Sequence, residues 1–225
     1  MADKSISESA YKGDFDLVAR KLEEDPSLLT AKDSSERILI HWACLGGNFK
    51  LVTHLVNLKS PIDPLDDTDT SPLILASSAG HVEVVSLLVD KEANVNQKNV
   101  NGHNSLQYAA SKGWLKICLK LIENGGNINI TDKYGSTPLI RAASKGNIEI
   151  VKLLLSNKEA VKINHQDIYG NTALHLACED DQQDVALLLA KNGADLTIRN
   201  KDRQTPLDLC TLKLMKLLKS LETNN

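Results

Sequence analysis

A six-residue phrase returns along this 225-residue chain at a nearly fixed interval, and that interval limits the folds open to it. The copies are Ser71-Pro72-Leu73-Ile74-Leu75-Ala76, Thr137-Pro138-Leu139-Ile140-Arg141-Ala142, Thr172-Ala173-Leu174-His175-Leu176-Ala177 and Thr205-Pro206-Leu207-Asp208-Leu209-Cys210, with weaker ones starting at Ile38 and Asn104. A small residue closes each, at Ala43, Ala76, Ala109, Ala142, Ala177 and Cys210, so successive spacings are 33, 33, 33, 35 and 33 residues. Such a period marks stacked supersecondary units, each too thin to bury its apolar face alone.

The phrase carries its own physical grammar. Thr or Ser supplies an N-cap oxygen, Pro sets φ at the first helical position, and the small closing residue lets neighbouring helices approach. A glycine follows at Gly13, Gly47, Gly80, Gly113 and Gly146, where a left-handed turn would end the first helix. Behind it runs a second amphipathic helix: Val82, Val85, Leu88 and Val89 form one apolar row, and Ile148, Val151, Leu154 and Leu155 repeat it. Turn signals separate the helix pairs, at Asn99-Val100-Asn101-Gly102, Asp132-Lys133-Tyr134-Gly135 and Asp167-Ile168-Tyr169-Gly170. These read as protruding fingers.

The pattern resembles the ankyrin-repeat family, whose Thr-Pro-Leu-His signature is matched best from Thr172 to His175. The resemblance implies an all-α repeat solenoid of seven ankyrin repeats, each a helix pair with a β-finger turn, closed by degenerate end caps. Counting along the chain gives one domain over 1–225, with repeats at about 5–33, 34–66, 67–99, 100–132, 133–167, 168–200 and 201–222. The first repeat lacks the Thr-Pro phrase and the last lacks the glycine, as expected of caps that need a polar outer face. The 35-residue spacing falls on the stretch Ser156 to Lys162, which is expected to be a surface loop.

Composition removes several functions. Apolar residues make up 42% of the chain and aromatics only 4%, so a core must rest on many small aliphatic contacts. With 26 basic and 29 acidic residues the net charge is -3, which provides no global field for nucleic acid or an anionic membrane. No apolar run approaches the roughly 20 residues of a membrane span. Nor does an apolar h-region follow the N-terminus, so an intracellular, soluble protein of cytoplasm and nucleus is expected. Cys44, Cys118, Cys178 and Cys210 are too scattered for a zinc site or a compact disulfide framework, and read as reduced, mostly buried thiols.

No catalytic, metal or cofactor site is expected. His41 and His175 occupy the fourth slot of the phrase, where the resemblance implies a turn-stabilising hydrogen bond, and His81 follows a turn glycine. No serine, cysteine or carboxylate sits in the context of an activated nucleophile. The sequon at Asn129 carries no weight in a chain expected to stay inside the cell, and Lys213, Lys216 and Lys219 read as a solvated helix face.

Binding positions are therefore sought where repeat logic leaves residues free, on the fingers and at the ends of the first helices, which line the concave side in the ankyrin family. The candidates are Arg37, Trp42, Asp66, Asp67, Thr70, Ser111, Lys112, Arg141, Lys145, Tyr169, Glu179 and Asp180. Their charge alternates along the strip: acid at Asp66, Asp67 and Asp69, base at Arg37, Lys112, Arg141 and Lys145, acid again at Glu179, Asp180 and Asp181. With helix pairs stacked at roughly 10 Å, Arg37 and Lys112 would lie about 20 Å apart, a span for a folded partner rather than a small ligand. Rim charges add about 0.2 to 1 kcal/mol each and set orientation more than affinity.

A narrower resemblance rests on Asp33-Ser34-Ser35-Glu36-Arg37, His41-Trp42-Ala43-Cys44, Tyr108-Ala109-Ala110-Ser111-Lys112, Arg141 to Asn147 and Gly170 to Cys178. Together these are similar to the gankyrins, ankyrin-repeat assembly chaperones of the proteasome regulatory particle. That resemblance implies a monomer that embraces the C-terminal domain of a base ATPase, with Arg37 and Lys112 facing acidic residues of that partner. Two positions depart from the family: Thr70 stands where gankyrins place a tryptophan, and the family's Leu-x-Cys-x-Glu retinoblastoma-protein motif here runs from Leu176 through Cys178 to Asp180. Cell-cycle regulators are the further partners this suggests, although presenting Leu176 and Cys178 from a packed helix would need local unfolding. The fold alone also accommodates an ankyrin-type inhibitor that sequesters a kinase or transcription factor.

Overall fold

In a computed structural model, residues 4–157 and 160–222 are described, and among them the chain forms fourteen α-helices, one short 3-10 turn and no strand. The helices gather into two compact units, Met1–Tyr108 with Glu123–Gly126, and Ala109–Ile122 with Asn127–Asn225.

The first unit contains α1 (Lys4–Lys12), α2 (Phe15–Glu24), α3 (Leu39–Leu45), α4 (Phe49–Asn57), α5 (Pro72–Ala79), α6 (Val82–Asp90) and the start of α7 (Ser105–Lys112). Short helices α1, α3 and α5 pack side by side, and each is backed by the helix that follows it. The closing residues of the phrase explain the close approach: Ala43 and Ala76 are wholly buried, so a larger side chain there would push the layers apart at about 1 to 3 kcal/mol. Between the layers Leu39, Leu51, Leu55, Leu73, Val85 and Leu88 are buried to within 1%. Each such aliphatic contributes about 1.5 to 3 kcal/mol, which is how a core with few rings holds together.

The second unit holds the rest of α7 and α8 (Leu115–Glu123), then α9 (Pro138–Ser144), α10 (Ile148–Leu155), α11 (Ala173–Glu179), α12 (Gln183–Lys191), α13 (Pro206–Leu209) and α14 (Leu212–Glu222). Here α9, α11 and α13 form the inner row, while α10, α12 and α14 back it. Ala142, Ala177, Val151, Leu154, Ala186, Leu189, Leu214 and Leu218 are completely buried.

The helix starts follow the phrase closely. Ser71 Oγ accepts from the Ile74 amide, Thr137 Oγ1 from Ile140, and Thr172 Oγ1 from His175. The fourth slot then answers in return. His41 Nδ1 accepts from the Ile38 amide and His175 Nδ1 from the Thr172 amide, both at 3.1 Å. Gln107 Oε1 does the same for Asn104, and Asp208 Oδ2 for Thr205. Because Nδ1 accepts, each imidazole carries its proton on Nε2, which donates to the Pro64 carbonyl from His41 and to the Gln204 carbonyl from His175. Both histidines are thus neutral links between a helix start and the next finger. Burial pushes both below the ordinary histidine value.

The turn after each first helix needs a left-handed residue. Gly146 supplies it with φ of 69°, and a Cβ there would collide with the Gln182 side-chain oxygen that fills the space. In the sixth repeat the same place is taken by Asp181 at φ 50°, a strained choice for a residue other than glycine. The residue after the turn ties back to the preceding repeat: Asn48 Nδ2 donates to the Ala10 and Tyr11 carbonyls, and Asn147 Nδ2 to those of Ala110 and Ser111. Of the longer spacing, Lys158 and Glu159 lie outside the described residues, and its far flank is held by Asn129, which bonds the Ala160 carbonyl and the Lys162 amide.

Candidate functional site

Every finger is built on one side chain. The first carboxylate or amide oxygen of Asp33, Asp66, Asn99, Asp132, Asp167 or Asn200 accepts from the amides two and four residues ahead, closing a tight turn. Adjacent fingertips are then zipped by single backbone bonds. Within the first unit these run from the Asp67 amide to Ser35 O and from Val100 to Thr68 O; within the second, from Ile168 to Tyr134 O and from Lys201 to Tyr169 O. Turn and tip are fixed by backbone and anchor, so tip side chains such as Asp67, Tyr134, Ile168 and Tyr169 are released outward.

This construction sorts the candidate residues of the first unit. Asp66 and Thr70 are buried and face inward. Asp66 Oδ1 takes the Thr68 and Thr70 amides and the Thr68 hydroxyl, while Oδ2 takes Arg37 Nε and a terminal guanidinium nitrogen, each at 2.9 Å. Burial alone would push the Asp66 carboxyl up, but the bonds from Thr68, Thr70 and Arg37 outweigh it and hold it below the usual carboxylate range. Arg37 in turn lies 5.0 Å above the Trp42 ring, and Trp42 Nε1 donates to Asp33 Oδ2 at 2.8 Å. Arg37, Trp42, Asp66 and Asp33 therefore form one interlocked cluster that keeps about a fifth of the Arg37 side chain exposed. Asp67 stands outside it, in solvent.

In the second unit Arg141 is likewise committed, through Nε and a terminal nitrogen, to Asp132 Oδ2. Ser111 is half-buried, and Lys112 and Lys145 are exposed. Glu179 and Asp180 lie exposed at the end of α11, where Asp180 accepts from the Ser144 hydroxyl at 2.7 Å. The alternating charge expected along the strip is consequently reduced. Two of its four bases, Arg37 and Arg141, are already neutralised by buried finger carboxylates, which leaves the lysines as its exposed cations.

The fingertips also display an apolar set that includes the candidate Tyr169. Tyr134, Ile168 and Tyr169 expose 51, 44 and 56% of their surface on neighbouring fingers joined by the Ile168 to Tyr134 bond. The signal was present in the sequence, since Tyr134 and Ile168-Tyr169 occupy finger slots that need no aromatic for folding. Exposed tyrosines are strong interface anchors, because their rings bring area at little entropic cost. Among the described residues no group of His, Cys, Asp or Glu is arranged to hold a metal, and no helix is long and apolar enough to cross a membrane.

Comparison with known proteins agrees with this architecture. Short stretches are similar to the 26S proteasome non-ATPase regulatory subunit 10 of Mus musculus, with 41% identity over 67 residues, 30% of this chain and 29% of that one. The Homo sapiens protein of the same name is 40% identical over 63 residues, 28% of each chain, so the match spans under a third of these relatives. Alpha-latrotoxin-Lh1a of Latrodectus hasselti is 38% identical over 74 residues, 32% of this chain but 6% of that protein. Among solved structures, the human ASB11 ankyrin repeat domain superposes with a TM-score of 0.87 at 23% identity, covering 97% of both chains. The ankyrin repeat domain of Bcl-3 gives 0.81 at 22% identity, covering 96% of this chain and 98% of that one; at such identities the likeness is one of fold. Three copies of the ankyrin-repeat pattern match residues 6–99, 40–132 and 106–200, and the chain belongs to the ankyrin-repeat family.

Proposed function

We propose that this ankyrin-repeat scaffold works as one domain over 1–225 and is an assembly chaperone of the proteasome regulatory particle, holding the C-terminal domain of a base ATPase. The observation that supports it is the similarity to the subunit 10 proteins of mouse and human. The exposed lysines Lys112 and Lys145, the exposed acids Glu179 and Asp180, and the tyrosine-bearing fingertips offer a partner both charge and apolar anchors. Arg37 adds a guanidinium edge that is held rigid by Asp66 and Trp42, so it loses little side-chain entropy on meeting an acidic partner. Cell-cycle regulators are further partners of this reading, and cytoplasm and nucleus its compartments.

Gel filtration of the purified chain with the isolated ATPase C-terminal domain should yield a one-to-one complex at micromolar concentration. Lys112→Glu with Lys145→Glu, both exposed and without an ion pair among the described residues, should weaken it roughly tenfold or more. Arg37→Glu with Lys112→Glu should weaken it further. Absence of a complex with the native chain would sink this reading, and a scaffold that sequesters a kinase or transcription factor, which rests on the fold alone, would replace it.

A further inference from the structure

The geometry points to Cys178 and Cys210 as a thiol pair that a peroxide closes into a disulfide, clasping the last helix pair to the repeat before it. Their sulfurs lie 2.7 Å apart, although the residues are 32 positions apart in sequence. The proximity follows from the repeat register. Cys210 occupies the closing slot of its phrase, filled by alanine in Ala43, Ala76, Ala109, Ala142 and Ala177, and Cys178 occupies the slot one residue later in the preceding repeat. Cys44 sits in that same later slot of the second repeat, but there the facing closing slot is Ala76 and no thiol meets it. The chain thus contains its own control.

Access differs between the two partners. Cys178 is 1% exposed on α11, whereas Cys210 is half-buried at the point where the single turn of α13 ends and the backbone goes extended, at φ −73° and ψ 151°. The Cys178 thiol facing Cys210 favours its thiolate and holds it below the ordinary cysteine value, against burial and the nearby Asp181 carboxylate. Burial pushes Cys118 up to about 12 and Cys44 higher still, so neither supplies a thiolate. Cys210 is therefore the group a small oxidant reaches.

The chemistry balances with hydrogen peroxide as oxidant. The Cys210 thiolate attacks one peroxide oxygen; an S–O bond forms, the O–O bond breaks, and hydroxide leaves and becomes water, giving a sulfenic acid. Cys178 attacks the Cys210 sulfur and passes its proton to the departing oxygen; the S–S bond forms, the S–O bond breaks, and that oxygen leaves as water. Two thiols and one peroxide become one disulfide and two waters. Reaching the roughly 2.05 Å bond length needs a shift of about 0.7 Å. Thr211 donates to Asp181 at 3.2 Å, a second tie between this junction and the turn after α11.

The full chain should be treated with stepwise hydrogen peroxide, alkylated with iodoacetamide after unfolding, and mapped by mass spectrometry without reduction. The expected result is a linked Cys178–Cys210 peptide, reversed by dithiothreitol, while Cys44 and Cys118 remain alkylated, and hydrogen exchange in α13 and α14 slowed roughly tenfold or more after oxidation. Cys210→Ser should abolish the link and leave Cys178 as inert as Cys44. The proposal is overturned by comparable oxidation of all four cysteines, by Cys210 running to sulfinic acid with Cys178 still a free thiol, or by Cys178 oxidising unaided in Cys210→Ser.

Discussion

Arg37 and Arg141 each end on a finger carboxylate whose side chain is fully buried, yet they arrive from different places. Arg37 starts on one finger and crosses to Asp66 on the next, 29 residues away, whereas Arg141 sits on α9 and returns to Asp132 of the finger that leads into that helix, 9 residues back. The first arrangement bonds two successive fingers together and is reinforced by Trp42. The second stiffens one finger on its own helix. Comparable ion pairs can thus act between fingers or within one finger and its helix, and the former should couple the stability of neighbours more strongly.

The largest effect that separates the two should come from deleting the carboxylates. Asp66→Ala removes the anchor of a turn and the partner of Arg37 together, and is expected to cost about 3 kcal/mol with a loss of cooperativity in urea unfolding of the first unit. Asp132→Ala should cost about 2 kcal/mol with cooperativity kept. Equal slopes and equal midpoints for the two would erase the distinction. Next comes the arginine side: Arg37→Ala should cost about 1 to 2 kcal/mol and shift Trp42 fluorescence, while Arg141→Ala should cost about 1 kcal/mol and leave the Trp42 signal alone.

Acid offers a sharper probe. His41 and His175 are held below the ordinary histidine value by burial, so the unfolded chain binds protons first as pH falls. Their contribution is complete above about pH 6.5 and is lost as pH drops toward the folded values. Asp66 behaves as a depressed carboxylate, with stability present above about pH 4 and lost only below it. Urea midpoints should therefore fall between pH 7 and 5 through the histidines. His41→Gln, which copies the job Gln107 already does, should flatten part of that fall at a cost of about 1 kcal/mol. A midpoint indifferent to pH over that range would contradict the assigned tautomers. The smallest change expected is Asp180→Asn, whose bond to Ser144 is exposed, at under about 0.5 kcal/mol.

The repeat period made the helix pairs, the capping serine and threonines, the turn glycines and the turn-stabilising bond of His41 and His175 legible, because each depends on residues within a few positions of one another. Asp66 was less so. As a finger acid beside Asp67 and Asp69 it resembled surface charge, and only the fold brings a guanidinium from 29 residues away onto it. The thiol pair escaped for the same reason: one slot of offset between successive repeats has no local signature, and scattered cysteines looked isolated until the layers were stacked.

The amide-to-carbonyl bonds that join neighbouring fingertips have a consequence for how such a chain can change over generations. A bond between peptide groups is blind to the side chain on either, so Tyr134, Ile168, Tyr169 and Asp67 can drift without disturbing the tip that displays them. At these tips folding and recognition are inherited on separate residues, and a new partner can be acquired without relearning how to fold.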